Sequence, residues 1–202
     1  TCDSVTKALE ILKRQYCCDC DGLEHPGLGQ YVPGLSVPRF TGAVRHFLQV
    51  LHLPGHWICV TNLLSVNPNE VFIFDSLPKT VVVEQVVVQL TSLLRKQLES
   101  DVMTLRVRDC DEQPSNSSLC GYYALASAIA ISQGDDPTSW RYCPQQLVNF
   151  IDSGIASGVF PLLIPKRRKP GANDRKVLKN VDKLHCICQA PSAGTMAMCS
   201  NC

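Results

Sequence analysis

The sequence predicts an α+β fold, a central mixed sheet flanked by helices. Two continuous apolar runs, His56–Leu63 and Val71–Phe74, have strand length and are bounded by turn residues. Three longer segments, Val5–Tyr16, Val81–Leu98 and the small-residue run Gly121–Ile131, have helical spacing or length. Strands and helices follow one another irregularly, unlike the strict alternation of a doubly wound sheet.

Taken in order, Val5, Leu9, Leu12 and Tyr16 fall on one helical face, which makes Val5–Tyr16 an amphipathic helix. Residues 40–53 read as a short strand or bend. Pro54-Gly55 is a turn, and His56–Leu63 runs on from it as an apolar strand. Asn67-Pro68-Asn69 is a second turn, so Val71–Phe74 returns beside the first strand as a hairpin with a rather long loop. Val81–Leu98 is rich in β-branched valine but too long for a typical strand, and reads as a helix. Met103–Val107 is a strand. Gln113–Leu119 is a polar loop without periodicity. The alanine-rich stretch after Cys120 is a buried helix, and Gln145–Ile155 is another.

A chain of 202 residues with net charge +1 and 45% hydrophobic content describes an ordinary globular protein: one domain over 1–165 with an appendage. No apolar run approaches the roughly 18 residues of a membrane span. The chain opens at Thr1 rather than methionine, the expectation for a piece of a longer protein.

His56, Asp75 and Cys120, in that order, are the parts of a cysteine hydrolase. The hairpin would set His56, at the start of one strand, directly opposite Asp75, at the end of the other, about 4.5–5.5 Å away between Cα atoms. Singly, His56 reads equally well as a turn residue and Asp75 as a cap. Cys120 at a helix N-terminus has the free N–H groups and dipole that favour a thiolate. A lone buried cysteine is usually structural, and the helix-start position argues against that here. Gln113 supplies an amide donor for an oxyanion, together with the N–H of Cys120.

His56-Trp57, the run Phe72-Ile73-Phe74-Asp75-Ser76, Gln113 and Cys120-Gly121 together resemble the ubiquitin-like protease family of cysteine isopeptidases, the desumoylase superfamily. The similarity spans residues 5–160, and the strand His56–Asn62 reads most like the divergent, transposon-associated members. The resemblance implies a papain-like superfold in the ubiquitin-like protease arrangement. It makes Cys120 the nucleophile, His56 the base, Asp75 its orienting carboxylate and Gln113 an oxyanion donor, with Trp57 and Gly121 binding substrate. The substrate class it implies is a conjugate of ubiquitin or a ubiquitin-like modifier (SUMO, NEDD8), cut after the terminal Gly-Gly. Leu119 stands where the family commonly has aspartate, and Gln113 lies one residue further from the cysteine than usual, so Asn116 is the alternative donor. The family's second tunnel tryptophan has no counterpart before Trp57, and Tyr31 or Phe40 are the aromatic substitutes.

After Pro165 the composition turns polar and basic. Residues 166–183, opening with Lys166-Arg167-Arg168-Lys169, read as a linker, the less common reading being a nucleic-acid patch. Residues 184–202 carry Cys186, Cys188, Cys199 and Cys202, whose pairing reads as zinc ligands and resembles the first half of a PHD finger. Catalysis needs no cofactor, and zinc is expected only at this incomplete tail. Cys2 with Cys17, Cys18 and Cys20 lacks a clear partner pair, and Cys59, Cys110 and Cys143 read as ordinary core or surface residues. A catalytic thiol and a PHD-like tail place the protein in a reducing compartment, nuclear or cytoplasmic. The leading expectation is therefore a thiol isopeptidase. A non-catalytic chromatin module, binding a histone tail or nucleic acid through the C-terminal region, is the second, and a viral-type endopeptidase on the same scaffold the third.

Overall fold

The computed structural model describes residues 2–16, 20–28, 46–67, 69–77, 83–94, 102–162, 164, 166–168 and 183–186. In chain order these form α1 (Cys2–Tyr16), β1 (Asp21–Gly22), β2 (Phe47–Leu53), β3 (His56–Thr61), β4 (Glu70–Phe74), α2 (Val83–Leu94) and β5 (Val102–Arg108). There follow α3 (Cys120–Ser132), a 3-10 turn over Pro137–Ser139, β6 (Trp140–Tyr142), α4 (Pro144–Ser157), β7 (Lys166–Arg168) and β8 (Lys183–Cys186).

Six strands make one mixed sheet in the order β1-β2-β3-β4-β5-β8. The β2–β3–β4 run is antiparallel, β1 joins β2 and β5 joins β4 in parallel, and β8 closes antiparallel to β5. The expected mixed sheet with flanking helices is therefore the one observed. Pro54 and Gly55 join β2 to β3 in a two-residue connection, with Leu53 paired to His56. Gly55 supplies the positive φ of 72° that this corner requires. At the sheet edge Gly22 also has positive φ, and a Cβ there would stand 2.0 Å from the Leu48 carbonyl oxygen.

Each face of the sheet carries its own core. The parallel β4–β5 connection passes through α2, whose Val86, Leu90 and Leu93 cover Phe47, Leu51, Ile58, Val60, Ile73 and Met103. The spacing of those three residues is one helical stripe. On the other face α1, α3 and α4 cover Leu48, Val50, Cys59, Phe72 and Phe74. Helix α3 is the centre of that layer and is buried continuously from Tyr123 to Ile131. An all-apolar helix of alanine, isoleucine and leucine is stable only when surrounded, as the composition implied.

Two elements differ from the expectation. The segment read as a short strand or bend contains the full strand β2, whose residues alternate between two cores, so no polar face marks it. The basic run also begins inside the folded body: Lys166–Arg168 pair with β6 in a second, two-stranded sheet. The Lys166 ammonium finds the Asp135 carboxylate and sits 4.1 Å from the Trp140 ring centroid, partners that sequence distance conceals.

Helix α4 ends at Gly158, a left-handed C-cap, and Phe160 packs against Gly154. A Cβ on Gly154 would lie 2.3 Å from Phe160 Cδ1, and that ring is buried, stacked on Phe150 and held by main-chain bonds to Gln15. Helix propensity alone would favour Gly154→Ala by about 1 kcal/mol. The overlap reverses the sign, and a loss of about 1–3 kcal/mol is expected. A thermal melt with an unchanged or raised midpoint would contradict this packing.

Candidate active site

Three elements meet at one end of the sheet: the first residue of β3, the residue following β4 and the first residue of α3. They deliver His56, Asp75 and Cys120. His56 Nε2 lies 2.5 Å from Asp75 Oδ1, with both groups buried. Asp75 Oδ1 also accepts the Leu77 N–H at 2.8 Å, which fixes the carboxylate against the chain that follows it. The Cys120 thiol lies beside the imidazole, close enough that each group shifts the other's pKa. With Nε2 engaged by Asp75, Nδ1 is the nitrogen left for the sulfur.

The ladder corrects one detail. Cys59 pairs with Phe74, so Asp75 falls level with Ile58, two residues along from His56. His56 and Asp75 are thus diagonal neighbours on one face rather than directly opposite. That separation is about 7–8 Å between Cα atoms, and the extended imidazole closes it.

The electrostatics follow from these contacts. Burial pulls the His56 pKa down, but the hydrogen bond to Asp75 and then that to Cys120 outweigh it and raise it to about 9. Burial pushes the Cys120 thiol up, while hydrogen bonds from His56 and the Trp57 N–H, the imidazolium charge and the Gly121 N–H bring it below its ordinary value. One pKa moving up and its neighbour's moving down favour a thiolate–imidazolium pair over the neutral pair. Such a pair is a ready nucleophile. Leu119 makes no side-chain cap. The first N–H groups of α3 have no intrahelical acceptor, and they lie beside the sulfur.

Trp57 is half-buried. It pairs with His52 across the β2–β3 ladder, the rings 4.3 Å apart between centroids and tilted by 31°. Alternation turns Trp57 with Cys59 towards α3, away from the side that His56 shares with Ile58. There its Cδ1 stands 3.6 Å from where a Cβ on Gly121 would be. The indole and the bare Gly121 backbone therefore lie side by side next to Cys120.

No protein-family model matches the chain, and no curated protein matches it. Among solved structures it is similar to the Ulp1-like SUMO protease catalytic domain of Chaetomium thermophilum, with a TM-score of 0.48 and 16% identity over 78% of this chain and 70% of that one.

Gln113 is brought to the site but not as a donor into the cleft. It is buried; its Nε2 donates to Ser117 O at 2.7 Å and to Ser117 Oγ at 3.2 Å, and its Oε1 accepts from Ser76 Oγ at 2.8 Å. Asn116, the alternative donor, is exposed at the loop tip with φ 61°. Ser76, quoted in the sequence only as part of the motif, Ser117, read only as polar loop, and Cys110, read as an ordinary core or surface residue, are neighbours of the site. Cys110 Sγ donates to the Asp75 main-chain oxygen at 3.3 Å, and nothing near Cys110 in the sequence signals that contact.

Among the described residues no three histidine, cysteine or acidic side chains gather to hold a metal. Cys188, Cys199 and Cys202, with Tyr31, Phe40, Cys17 and Cys18, lie outside those residues, and of Cys186 only the backbone, in β8, is described. No helix among the described residues is long and apolar enough to cross a membrane.

Proposed function

We propose that the protein is a cysteine isopeptidase that cleaves after the C-terminal Gly-Gly of ubiquitin or a ubiquitin-like modifier such as SUMO or NEDD8. The observation that carries the reading is the His56 imidazole, 2.5 Å from Asp75 Oδ1 and electrostatically coupled to the helix-start thiol of Cys120. The Cys120 thiolate attacks the carbonyl carbon of the terminal glycine, and the oxygen takes up the negative charge beside the N–H groups opening α3. Protonated His56 then gives its proton to the departing lysine amine as the C–N bond breaks, leaving a thioester. Neutral His56 takes a proton from water, whose oxygen attacks the thioester, and the modifier leaves as a carboxylate with Cys120 restored.

Trp57 gives the reading its substrate class. A flat indole packed beside the start of α3, next to Cys120, is the kind of wall that would accept a Gly-Gly tail and exclude branched residues. Ubiquitin, SUMO and NEDD8 carrying electrophilic C-termini test the proposal directly. A covalent adduct at Cys120 with at least one of them is the expected result. Folded protein that labels with none, while its thiol still titrates, would refute it.

Trp57→Ala separates this wall from the core. The ring is partly exposed and packs on the edge of the core, so its loss should cost somewhat less than the roughly 3–5 kcal/mol of a fully buried aromatic. Cleavage of a modifier–lysine conjugate should fall about 100-fold through a misplaced tail. Wild-type kcat/KM in a folded variant would remove Trp57 from the substrate path.

A further inference from the structure

We propose that Gln113 is a positioning residue, which fastens the loop ahead of Cys120 to the Asp75 end of β4 through Ser76 and Ser117, and that main-chain N–H groups alone hold the oxyanion. The proposal rests on the hydrolase reading above and departs from the role the sequence resemblance implied. A glutamine side chain has two N–H hydrogens and one carbonyl oxygen. Both hydrogens are directed at Ser117, to its carbonyl at 2.7 Å and its hydroxyl at 3.2 Å, and the oxygen is held by the Ser76 hydroxyl at 2.8 Å. The Gln113 main-chain N–H adds a fourth bond, to Ser76 O at 3.2 Å. A donor reaching for an oxyanion would first have to leave the Ser117 carbonyl, at a side chain only 5% exposed.

The placement explains why such a clamp is useful. Ser76 follows Asp75 directly, and Ser117 stands three residues before Cys120. Asp75 and Cys120 come from different elements and must both face one imidazole. The polar loop between β5 and α3 has no regular structure to hold them in register. Cys110 fastens the start of this loop to the Asp75 carbonyl at 3.3 Å, and Gln113 fastens its middle to Ser76 and its end to itself. Removing the clamp should loosen the Asp75–His56–Cys120 alignment, and with it the thiolate.

Alkylation of Cys120 by iodoacetamide isolates that effect, because the thiolate displaces iodide and no carbonyl oxyanion forms. The rate is measured against pH by mass spectrometry on the full chain, beside turnover of a Gly-Gly conjugate, for Ser76→Ala, Gln113→Ala and the double variant. Ser76→Ala removes a single oxygen and keeps the test open if Gln113→Ala does not fold. A clamp predicts that each single variant slows alkylation at neutral pH about tenfold and moves the profile to higher pH. The double variant should be no slower than Gln113→Ala, since both remove one connection. An oxyanion donor predicts wild-type alkylation in Gln113→Ala with turnover down about 100-fold or more; that result, or an inert Ser76→Ala, overturns the clamp and leaves the hydrolase reading standing. A wild-type Cys120 that titrates like a free thiol would overturn the hydrolase reading and the clamp with it.

Discussion

Cys120→Ala should abolish turnover, by a factor on the order of 10⁶ if the three groups act as a unit, while the folded protein survives intact. Cys120 is partly exposed at the first position of α3, and alanine has the higher helix propensity, so the stability change should stay within about 0.5 kcal/mol. The sulfur leaves behind the Trp57 and Gly121 N–H groups that now face it, so a conjugate should still bind and the variant should act as a substrate trap. His56 also loses one of the two partners that hold its pKa at about 9 and should titrate lower. Calorimetric melting and a pull-down of uncleaved conjugate check both halves. Residual cleavage above the uncatalysed level would assign the nucleophile elsewhere.

The parts of the site that were legible in the sequence are those set by backbone pattern. Apolar runs between turn residues gave β3 and β4, hence His56 and Asp75 at neighbouring strand ends, and a small-residue run gave α3 with Cys120 at its start. Helix α2 was readable despite its valines because the apolar run is too long for a strand; the structure adds that Val86, Leu90 and Leu93 form one stripe against the sheet. Side-chain partner choice was not legible. Gln113 was assigned by its chemistry as a donor, and that chemistry is satisfied by two serines. Lys166 lies in a run that composition marks as solvated, and a carboxylate and an indole from distant positions fold it into β7. The diagonal offset of His56 from Asp75 depends on strand register, which the length of the β3–β4 loop leaves undetermined.

Asp75→Asn tests whether the carboxylate acts by charge or only by shape. An asparagine presenting its oxygen in the same place can still accept the Leu77 N–H and the imidazole N–H, so the fold and the ring position should be kept. What disappears is the negative charge that, with its hydrogen bond, outweighs burial at His56. The His56 pKa should therefore fall from about 9, and the alkaline limb of kcat/KM, which marks loss of the imidazolium, should move to lower pH. Cys120 would lose imidazolium support over the same range, so its own pKa should rise and the acid limb should move to higher pH. Both limbs close on the neutral window, and kcat there should drop by a factor on the order of 10³–10⁴. A profile with unmoved limbs and a modest loss of rate would mean that Asp75 only orients the ring, and that the thiolate owes its stability to the helix start and the Trp57 and Gly121 N–H groups.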